Sequence, residues 1–459
     1  MAEIVSQYQA KCSIEFIREP RDAAGCLIAR RDTPARLHVD LPGRLGARQT
    51  RSETATDRGG ITMTPPLKGV KVLEIGNFLA APFCTMQLAD LGADVIKIER
   101  PGVGDIVRST GPFIDGESSP YLLINRNKRS LSLDMSVAEG KEVFRRLAGD
   151  ADIIVENLSP GAMTRLGFTY ENLSADNPGL IYVAASGWGE EGPYANYPGL
   201  DMIVQAMSGL MSITGEEGRP PVKVGVPISD LICALYGALA AVSAYYVRSI
   251  TGKGQFIEVN LFESGVSLAV WEAGKYFATG EVPKKLGAVH QASAPYQAVE
   301  ASDGYFCLGA PSAPTWRSLC EVFGLKELID DPDYVDNPHR FNNREALIAR
   351  IETVTKTQPA RHWIDALQAA GVPSGAIRTY DEVFNDEHLK VRGFFPKAPH
   401  AKIGDTTQIG SPMHLKDTPA EIRIAGPLLG EHTREIMTSI GYDEGEIAEM
   451  ISRAVISTI

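Results

Sequence analysis

Residues 70–99 read VKVLEIGNFLAAPFCTMQLADLGADVIKIE, and this stretch decides the fold class. VKVLEI (70–75) is a short apolar run with β-branched residues, which predicts a buried strand. CTMQLADLG (84–92) predicts a helix, and ADVIKIE (93–99) predicts a second strand. A strand, a helix and a further strand within about 30 residues form the unit from which parallel sheets are built.

The same alternation continues along the chain. The further predicted elements are the strand LSLDM (131–135), the helix AEGKEVFRRLAG (138–149) and the strands DIIVEN (152–157) and LIYVAAS (180–186). Strands separated by helices of this length predict an α/β protein with a doubly wound parallel sheet. Ligands of such sheets bind outside the carboxyl ends of the strands, which is where Asn77, Arg100 and Asn157 fall.

A second, smaller α+β unit is predicted further along. APYQAVEASDGYFCLGA (294–310) predicts two strands joined by a turn at Asp303–Gly304, and helices follow near 314–323, 343–354 and 360–370. We therefore predict the following division of the chain: a disordered leader at 1–63, a large sheet domain at 64–265, a linker at 266–284, a small domain at 285–395, and a C-terminal segment at 396–459 that returns to the large domain.

The leader is set apart by its composition. It is rich in arginine and shows no sustained helix or strand period, and it ends in SETATDRGG (52–60). Three explanations stay open: translation that naturally starts at Met63, a mobile extension, or a transit peptide. The acidic residues of the leader argue against the transit peptide.

Charge and cysteine usage narrow the function class. The net charge of −12 argues against nucleic acid or an anionic membrane as the main partner. The six cysteines show neither C-x-x-C nor zinc spacing, and the N-terminus lacks the apolar stretch of a secretory signal. These features predict reduced thiols, no metal site and a cytoplasmic protein.

Several common catalytic motifs are missing. The turn after the first predicted strand reads GNFLAAPF (76–83) rather than G-x-G-x-x-G, and PGVGD (101–105) lacks the Lys and Ser/Thr of a P-loop. The sequence also has no H-E-x-x-H and no G-x-S-x-G between a strand and a helix. A dinucleotide enzyme, a phosphoryl transferase, a zinc protease and a serine hydrolase are therefore not indicated.

Asp230 is the only charged residue between Gly225 and Val247. We expect a helix to begin there, whose free N–H groups and positive dipole end would keep the carboxylate ionised and so able to act as a nucleophile. The alternative is that Asp230 merely caps the helix, and Asp201 has the same alternative before MIVQAMSGLM (202–211). The run 231–247 approaches transmembrane length, but we predict a buried core helix.

Several stretches together resemble family III CoA-transferases, from about Leu67 to the C-terminus. They are PLKGVKVLEIG (66–76), LGADVIKIERPGVGD (91–105), INRNKRSLSLD (124–134), ADIIVENLSPGAMTRLGF (151–168), SGWGEEGPYA (186–195), TGKGQ (251–255) and PLLGEHTREIM (427–437). The resemblance implies an interlocked homodimer with a Rossmann-like, CoA-binding large domain and a smaller domain. It also implies an acyl-CoA and a free carboxylic acid as substrates, with no resident cofactor.

The resemblance also implies roles for individual residues. The family's nucleophilic aspartate matches Asp230, which ends the segment TGEEGRPPVKVGVPISD (214–230). It would take the acyl group as a mixed anhydride and then carry CoA as an aspartyl thioester. The implied CoA-binding residues are Phe78, Leu79, Ala80, Arg100, Leu133, Asn157, Leu158, Ala162, Arg165 and Leu166. Lys128 and Arg129 are further positive groups predicted at the opening of the sheet, where arginine forks suit phosphate oxygens. The alternative for these groups is a solvated rim or salt bridges.

Two other functions stay open. Racemases of the same family carry Gly-His-Asp where this chain has Gly199-Leu200-Asp201, and leucine cannot accept a proton, so a transferase is favoured. Leu200 and Asp201 are possible accessory residues of the site. The third reading is a catalytically weak acyl-CoA-binding subunit, against which the intact Asp230 argues.

The acceptor acid is not fixed by the sequence. Succinate, carnitine-like betaines, mesaconate and aromatic acids stay open. Formate and oxalate are disfavoured because the glycine run of formyl-CoA transferase is replaced by LGAVHQAS (286–293). Two lysine positions of that transferase are Ser136 and Pro198 here, which predicts a different phosphate clamp.

Overall fold

The computed structural model describes residues 64–459, so the predicted leader at 1–63 lies outside the described residues. The strands are β1 (Lys71–Ile75), β2 (Asp94–Glu99), β3 (Phe113–Ile114), β4 (Glu117–Ser118), β5 (Lys128–Leu133), β6 (Ile153–Glu156), β7 (Ile181–Ser186), β8 (Phe256–Asn260), β9 (Tyr296–Ala301), β10 (Gly304–Gly309), β11 (Ser374–Ala376), β12 (Lys397–His400), β13 (Gly404–Thr407) and β14 (Ile456–Ser457).

The helices alternate with these strands in the first half of the described chain and dominate the second half. They are α1 (Ala80–Asp90), α2 (Ser119–Ile124), α3 (Ala138–Gly149), α4 (Ala162–Leu166), α5 (Tyr170–Asp176), α6 (Asp201–Met207), α7 (Leu210–Ile213), α8 (Ile228–Thr251), α9 (Leu261–Ser267), α10 (Val270–Thr279), α11 (Ala313–Phe323), α12 (Asn337–Asn342), α13 (Arg344–Thr355), α14 (Ala360–Ala369), α15 (Tyr380–Phe384), α16 (Glu387–Val391), α17 (Thr433–Ser439) and α18 (Glu444–Ser452), with short 3-10 helices at Ile106–Ser109 and Lys326–Leu328.

The central sheet has seven strands in the order β14-β5-β2-β1-β6-β7-β8. All neighbours are parallel except β14, which runs antiparallel to β5 with Ile456 opposite Leu133. The predicted α/β class with a mostly parallel central sheet is confirmed. The chain direction across the sheet reverses between β1 and β6, and the crevice beside such a reversal is where ligands of open α/β sheets bind.

Helices cover both faces of this sheet, because successive residues of a strand point to opposite sides. Val72 of β1 packs with Leu88 of α1 and Ala241 of α8 on one face. Its neighbour Leu73 packs on the other face in a cluster with Phe144 of α3 and residues of α17 and α18. Both strand faces are therefore buried, which explains the nearly continuous apolar runs at 70–75 and 93–99.

A three-stranded antiparallel sheet, β11-β10-β9, forms a separate core with α11, α13 and α14. Its strands β9 and β10 are joined by a two-residue turn at 302–303, one residue before the predicted turn. Phe306, Trp316 and Trp363 are buried in this cluster. The predicted domain boundaries stay a prediction.

Helix α8 differs from the buried core helix that we predicted for 231–247. It is long and apolar enough to span a membrane by length and composition, the one such helix in the described part of the chain. Only one of its faces is packed, through residues such as Ala234 and Ala241, and 39% of its most apolar window is buried. Its other face exposes Leu239 and Ile250.

Candidate active site

Two asparagines face each other at the reversal point of the sheet. Asn77 follows β1 and Asn157 follows β6, the strand paired with it. The Asn77 N–H donates to Asn157 Oδ1 at 3.0 Å, and Asn157 Nδ2 donates back to the Asn77 carbonyl oxygen at 2.9 Å. A Cβ at Gly76 would lie 2.7 Å from Asn157 Oδ1, so this close approach requires glycine. The crevice predicted at Asn77 and Asn157 is thus held rigidly.

Phe78 begins the turn from β1 into α1 in an unusual backbone conformation. Its φ is +59°, in the left-handed region that costs a non-glycine residue about 1–2 kcal/mol. Its N–H donates to Asp105 Oδ1 at 3.1 Å, which offsets part of that cost, and its ring is 48% exposed. Leu79 occupies the N-cap position of α1, and Ala80 is its first residue and is buried.

A row of buried charges anchors this turn from below. Asp105 Oδ2 lies 2.8 Å from Lys97 Nζ, which lies 2.5 Å from Glu74 Oε1. Glu74 Oε2 in turn lies 2.7 Å from Lys128 Nζ, and all four side chains are fully buried. Burial raises the pKa of Glu74, but the ammonium groups of Lys128 and Lys97 outweigh it and lower that pKa to about 2. We call Glu74, Lys97, Asp105 and Lys128 the buried charge row.

Lys128 and Arg129 do not line the opening of the sheet, and the alternative of salt bridges is the one that the structure shows. Lys128 belongs to the buried charge row, where Glu74 compensates its charge. The Arg129 guanidinium binds the carboxylates of Asp94, with Nε 2.8 Å from Oδ1, and of Glu435, 3.0 Å away. Both residues begin β5, so they lie at the amino end of a strand, whereas ligands gather at the carboxyl ends.

A cavity of about 370 Å³ lies at the carboxyl ends of β1, β2 and β5. It brings together the predicted CoA-binding residues Arg100, Leu133, Leu158 and Leu166. The guanidinium of Arg100 is exposed, as binding of a phosphate from solution requires.

Ser136 also lines this cavity, at a position where the resemblance led us to expect a different phosphate clamp. Its N–H and Oγ donate to Asp134 Oδ1 at 2.8 and 2.6 Å. These bonds, together with the charge of Arg100, lower the pKa of Asp134. The serine is therefore engaged with Asp134.

A second cavity of about 200 Å³ adjoins the first, since Leu158 lines both. Ala162, the first residue of α4, lines it as predicted for a CoA-binding residue. Arg165 is exposed nearby, and its Nη1 donates to the Pro160 carbonyl oxygen at 3.0 Å. Phe78, Leu79, Ala80, Asn157 and Arg165 line neither cavity.

Asp230 is the third residue of α8, not the residue that precedes it. The helix begins at Ile228 after Pro227, so the alternative that Asp230 caps it is wrong. Ala80 and Cys233, one turn beyond Asp230, pack in one cluster with Trp188. The part of α8 one turn beyond Asp230 therefore packs in the same cluster as the first residue of α1.

We expected a helix terminus that keeps Asp230 ionised, and the structure instead favours its protonated form. Burial raises its pKa, the nearby negative charge of Asp201 raises it further, and the pKa reaches about 7. No described residue donates a hydrogen bond to this carboxylate. The helix terminus does not keep the group ionised because its donors are aimed elsewhere: the Ser229 N–H bonds to Asp201 Oδ1 at 2.9 Å, and the Leu231 N–H bonds to the Pro227 carbonyl oxygen at 3.1 Å.

Asp201 is the first residue of α6 and does not cap its own helix, whose N-cap position is Leu200. The Leu200 side chain is 71% exposed. Asp201 Oδ2 accepts a hydrogen bond of 2.7 Å from Gln205 Nε2, and its Oδ1 caps α8 through Ser229. The possible accessory residue Asp201 is thus bound to the helix that carries Asp230.

Comparison with known proteins identifies the protein class to which this arrangement belongs. The family model described as CoA-transferase family III matches residues 67–433. This chain belongs to family III of the CoA-transferases. It is therefore an enzyme that transfers CoA, and the resemblance inferred from the sequence is confirmed.

Several curated relatives match this CoA-transferase over nearly their whole length. A mouse succinyl-CoA:glutarate CoA-transferase is 36% identical over 85% of this chain and 90% of the relative. An acetyl-CoA:oxalate CoA-transferase of Acetobacter aceti is 37% identical over 80% and 93%, and a succinyl-CoA:mesaconate CoA-transferase of Haloarcula marismortui is 36% identical over 83% and 97%. A solved CaiB/BaiF family structure from Brucella suis is 37% identical, with a TM-score of 0.73 over 82% of this chain and 99% of that one.

Sequence reasoning missed the buried charge row of this CoA-transferase, although a signal was present. Glu74 and Lys97 each interrupt an apolar strand, and the two residues are direct partners in the pairing of β1 with β2. A charged residue inside a strand that is buried on both faces needs an opposite charge beside it. The register of two parallel strands would have identified that partner.

Proposed function

We propose that this transferase moves CoA between a donor acyl-CoA and an acceptor carboxylic acid through covalent intermediates on Asp230. The observation that carries the proposal is the state of the Asp230 carboxylate: it is partly buried, it is repelled by Asp201, and it accepts no hydrogen bond from a described residue. A poorly solvated carboxylate with a raised pKa is a stronger nucleophile than one in water.

The reaction needs no proton transfer. An Asp230 oxygen bonds to the thioester carbon of the donor, and the carbon–sulfur bond breaks to release CoA thiolate. The thiolate then attacks the Asp230 carbonyl carbon of the mixed anhydride, which frees the donor acid and leaves an aspartyl-CoA thioester. The acceptor carboxylate attacks that thioester, and the thiolate finally takes the new acyl group and regenerates the Asp230 carboxylate. Together, these covalent steps divide one difficult transfer of CoA into several easier ones.

The CoA portion is assigned to the two adjoining cavities. Arg100 supplies an exposed, permanently charged fork for phosphate oxygens, and Leu133, Leu158 and Leu166 supply apolar wall. Asn77 and Asn157 fix the crevice between these cavities and the turn that leads to α1. The Ser229 and Leu231 N–H groups already donate to other oxygens, so other backbone N–H groups must stabilise the oxyanion that forms on the thioester carbon.

The acceptor acid is proposed to be a dicarboxylic acid. The relatives described above are named for glutarate, oxalate and mesaconate, which are all dicarboxylates, and two of them are named for succinyl-CoA as donor. Oxalate, which the missing glycine run disfavoured, therefore stays among the acceptors to test. Betaines and aromatic acids have less support.

The decisive experiment is intact-protein mass spectrometry after incubation with succinyl-CoA, acetyl-CoA and an aromatic acyl-CoA. We expect a mass gain that corresponds to CoA or to the acyl group on the wild type, mapped by peptide digestion to Asp230 and missing in Asp230→Ala. Asp176→Asn, which removes an exposed carboxylate at the end of α5, serves as the matched control and should label like the wild type.

Two results would overturn the proposal. An adduct of equal size on Asp230→Ala would move the nucleophile elsewhere. No adduct on the wild type would refute covalent transfer, and exchange of the α-proton of an acyl-CoA in deuterated water would then make the protein a racemase. The non-ionisable Leu200 argues against that second result.

A further inference from the structure

Asp201 and Gln205 clamp the chain on both sides of the start of α8. Gln205 is fully buried, its Oε1 accepts the Val224 N–H at 2.9 Å, and its Nε2 donates to Asp201 at 2.7 Å. Asp201 then accepts the Ser229 N–H at 2.9 Å. The segment entering the helix and the first turn of the helix are therefore both held by these two side chains of α6.

We propose that Asp201 is a positioning residue with two effects on Asp230: it fixes the first turn of α8, and its negative charge favours the covalent, uncharged state of Asp230 over the free carboxylate. This inference rests on the proposed function, and it goes further because it explains why Asp230 lies near a second carboxylate while no cation of residues 64–459 offsets the repulsion. Asp201 is the charged group that acts on Asp230 in the described part of the chain.

The electrostatic argument follows the charge through the reaction. Before the reaction, Asp230 carries a negative charge that is poorly solvated and repelled by Asp201. When its oxygen bonds to the acyl carbon, the electron pair of the broken carbon–sulfur bond moves to the CoA sulfur, so Asp230 becomes neutral. The second step sends the charge away with the released donor acid. Repulsion by Asp201 therefore raises the free energy of the resting carboxylate and not that of the aspartyl thioester.

The other groups packed around Asp230 do not supply this effect. Cys233, one turn further along α8, is buried, and burial together with Asp230 raises the pKa of its thiol to about 12, so it is neutral. Ser264 of α9, which contacts this thiol, is uncharged. Asp201 is therefore the neighbouring charge that raises the free energy of free Asp230 relative to acylated Asp230.

The test compares the wild type with Asp201→Asn. The asparagine oxygen can still accept the Ser229 N–H, but the negative charge is gone, and the bond from Gln205 is lost because two NH2 groups then face each other. We expect the acid limb of kcat/KM to move about one pH unit lower, as removal of a neighbouring like charge does. At saturating donor and equal concentrations of free acid, we expect the ratio of enzyme with CoA on Asp230 to enzyme with unmodified Asp230 to fall about tenfold, since one pKa unit is a tenfold change in equilibrium.

Three further variants separate charge from position. Gln205→Leu breaks the bond to Asp201 but keeps its charge and its bond to Ser229, so the adduct ratio should match that of the wild type. The double variant Asp201→Asn/Gln205→Glu returns a negative charge to the pair and keeps the hydrogen bonds to Ser229 and Val224, so both readouts should move back toward the wild type. Asp201→Ala removes the charge and the cap together, and its kcat should fall below that of Asp201→Asn. Asp176→Asn should change neither the acid limb nor the adduct ratio.

The outcomes distinguish this inference from the proposed function. If the wild type forms no adduct on Asp230, the proposed function fails. If the wild type forms the adduct and Asp201→Asn forms it in the same ratio with an unmoved acid limb, the proposed function stands and the inference about Asp201 is wrong. A lower adduct ratio that the double variant does not restore would also overturn the role of the charge.

Discussion

At the scale of single residues, the ionisation of Asp230 sets the pH dependence of the enzyme. Only the carboxylate can attack a thioester, and burial with repulsion from Asp201 raises its pKa to about 7. We therefore expect kcat/KM to fall tenfold per unit as the pH drops below about 7. A pH–rate profile with saturating acceptor measures this. A profile that is flat down to about pH 5 would contradict the raised pKa.

The same residue is expected to destabilise the folded protein. A carboxyl group whose pKa is raised by folding stabilises the protein below its unfolded pKa, and this contribution is lost as the pH rises to about 7. Asp230→Asn should therefore raise the free energy of unfolding at about pH 8 by roughly 2 kcal/mol, since a pKa unit corresponds to about 1.4 kcal/mol and the side chain is partly solvated. The gain should vanish near pH 4.

Urea denaturation of Asp230→Asn and the wild type at both pH values measures this prediction. Asp176→Asn is the control for loss of an exposed carboxylate and should stay within about 0.5 kcal/mol of the wild type. Equal stability of Asp230→Asn and the wild type at about pH 8 would show that the carboxylate is well solvated in the folded protein.

Arg100 is expected to bind the CoA ester and not to take part in the chemical step. It is exposed at the rim of the 370 Å³ cavity, so Arg100→Ala should raise KM for acyl-CoA about tenfold or more, as loss of a charge-assisted hydrogen bond does, and leave kcat within about twofold. Steady-state kinetics with varied acyl-CoA measure both constants. Arg145→Ala, an exposed arginine on α3, is the control; an unchanged KM for Arg100→Ala would remove Arg100 from the site.

A single residue could be identified from the sequence when its charge differed from that of its sequence neighbours. Asp230 was found because it stands alone in an apolar run. Its position in the helix and its pKa were predicted wrongly because the residue that caps α8, Asp201, is far away in the sequence. Contacts of this kind follow from tertiary packing, which no local pattern encodes.

At the scale of helices and strands, the buried charge row is the feature with the largest expected effect on stability. Lys97→Met removes the cation between Glu74 and Asp105, and loss of one partner from a buried ion pair costs about 3–5 kcal/mol. Because Asp105 also holds the Phe78 N–H, the turn into α1 should loosen and KM for acyl-CoA should rise.

Urea denaturation compares Lys97→Met with Lys71→Met. Lys71 begins the same sheet in β1, but its ion pair with Asp150 is exposed, and such pairs contribute about 1 kcal/mol or less. If the two variants lose the same stability, the row does not hold β1 and β2 together.

The strongly periodic elements were predicted well, and the irregular ones were not. Helix α3 spans the predicted 138–149, because its apolar stripe and its flanking residues indicate the same two ends. Helix α1 begins at Ala80, four residues before the prediction, since GNFLAAPF contains a proline that is tolerated in a first turn. The edge strand β14 has two residues and no periodicity to detect, and it is defined only by its pairing with β5.

At the scale of the whole molecule, exposed apolar side chains favour self-association, and the family resemblance predicts an interlocked homodimer. Leu239 and Ile250 on the outer face of α8 are 64% and 69% exposed, and Trp271 and Phe277 on α10 are 62% and 83% exposed. Soluble monomers rarely leave large contiguous apolar patches in water. We expect sedimentation velocity at micromolar concentration to give about twice the chain mass of 49.6 kDa.

Interlocking makes a sharper prediction than dimerisation alone. If each subunit is threaded through the other, separation requires unfolding, so exchange of subunits should be as slow as global unfolding and not as fast as ordinary dissociation. Tagged and untagged protein mixed in native buffer should give no mixed dimers over a day, whereas unfolding in urea and joint refolding should give them in about the statistical half. Rapid formation of mixed dimers without denaturant would be consistent with a dimer but would exclude threading. A monomer at micromolar concentration would contradict the predicted homodimer.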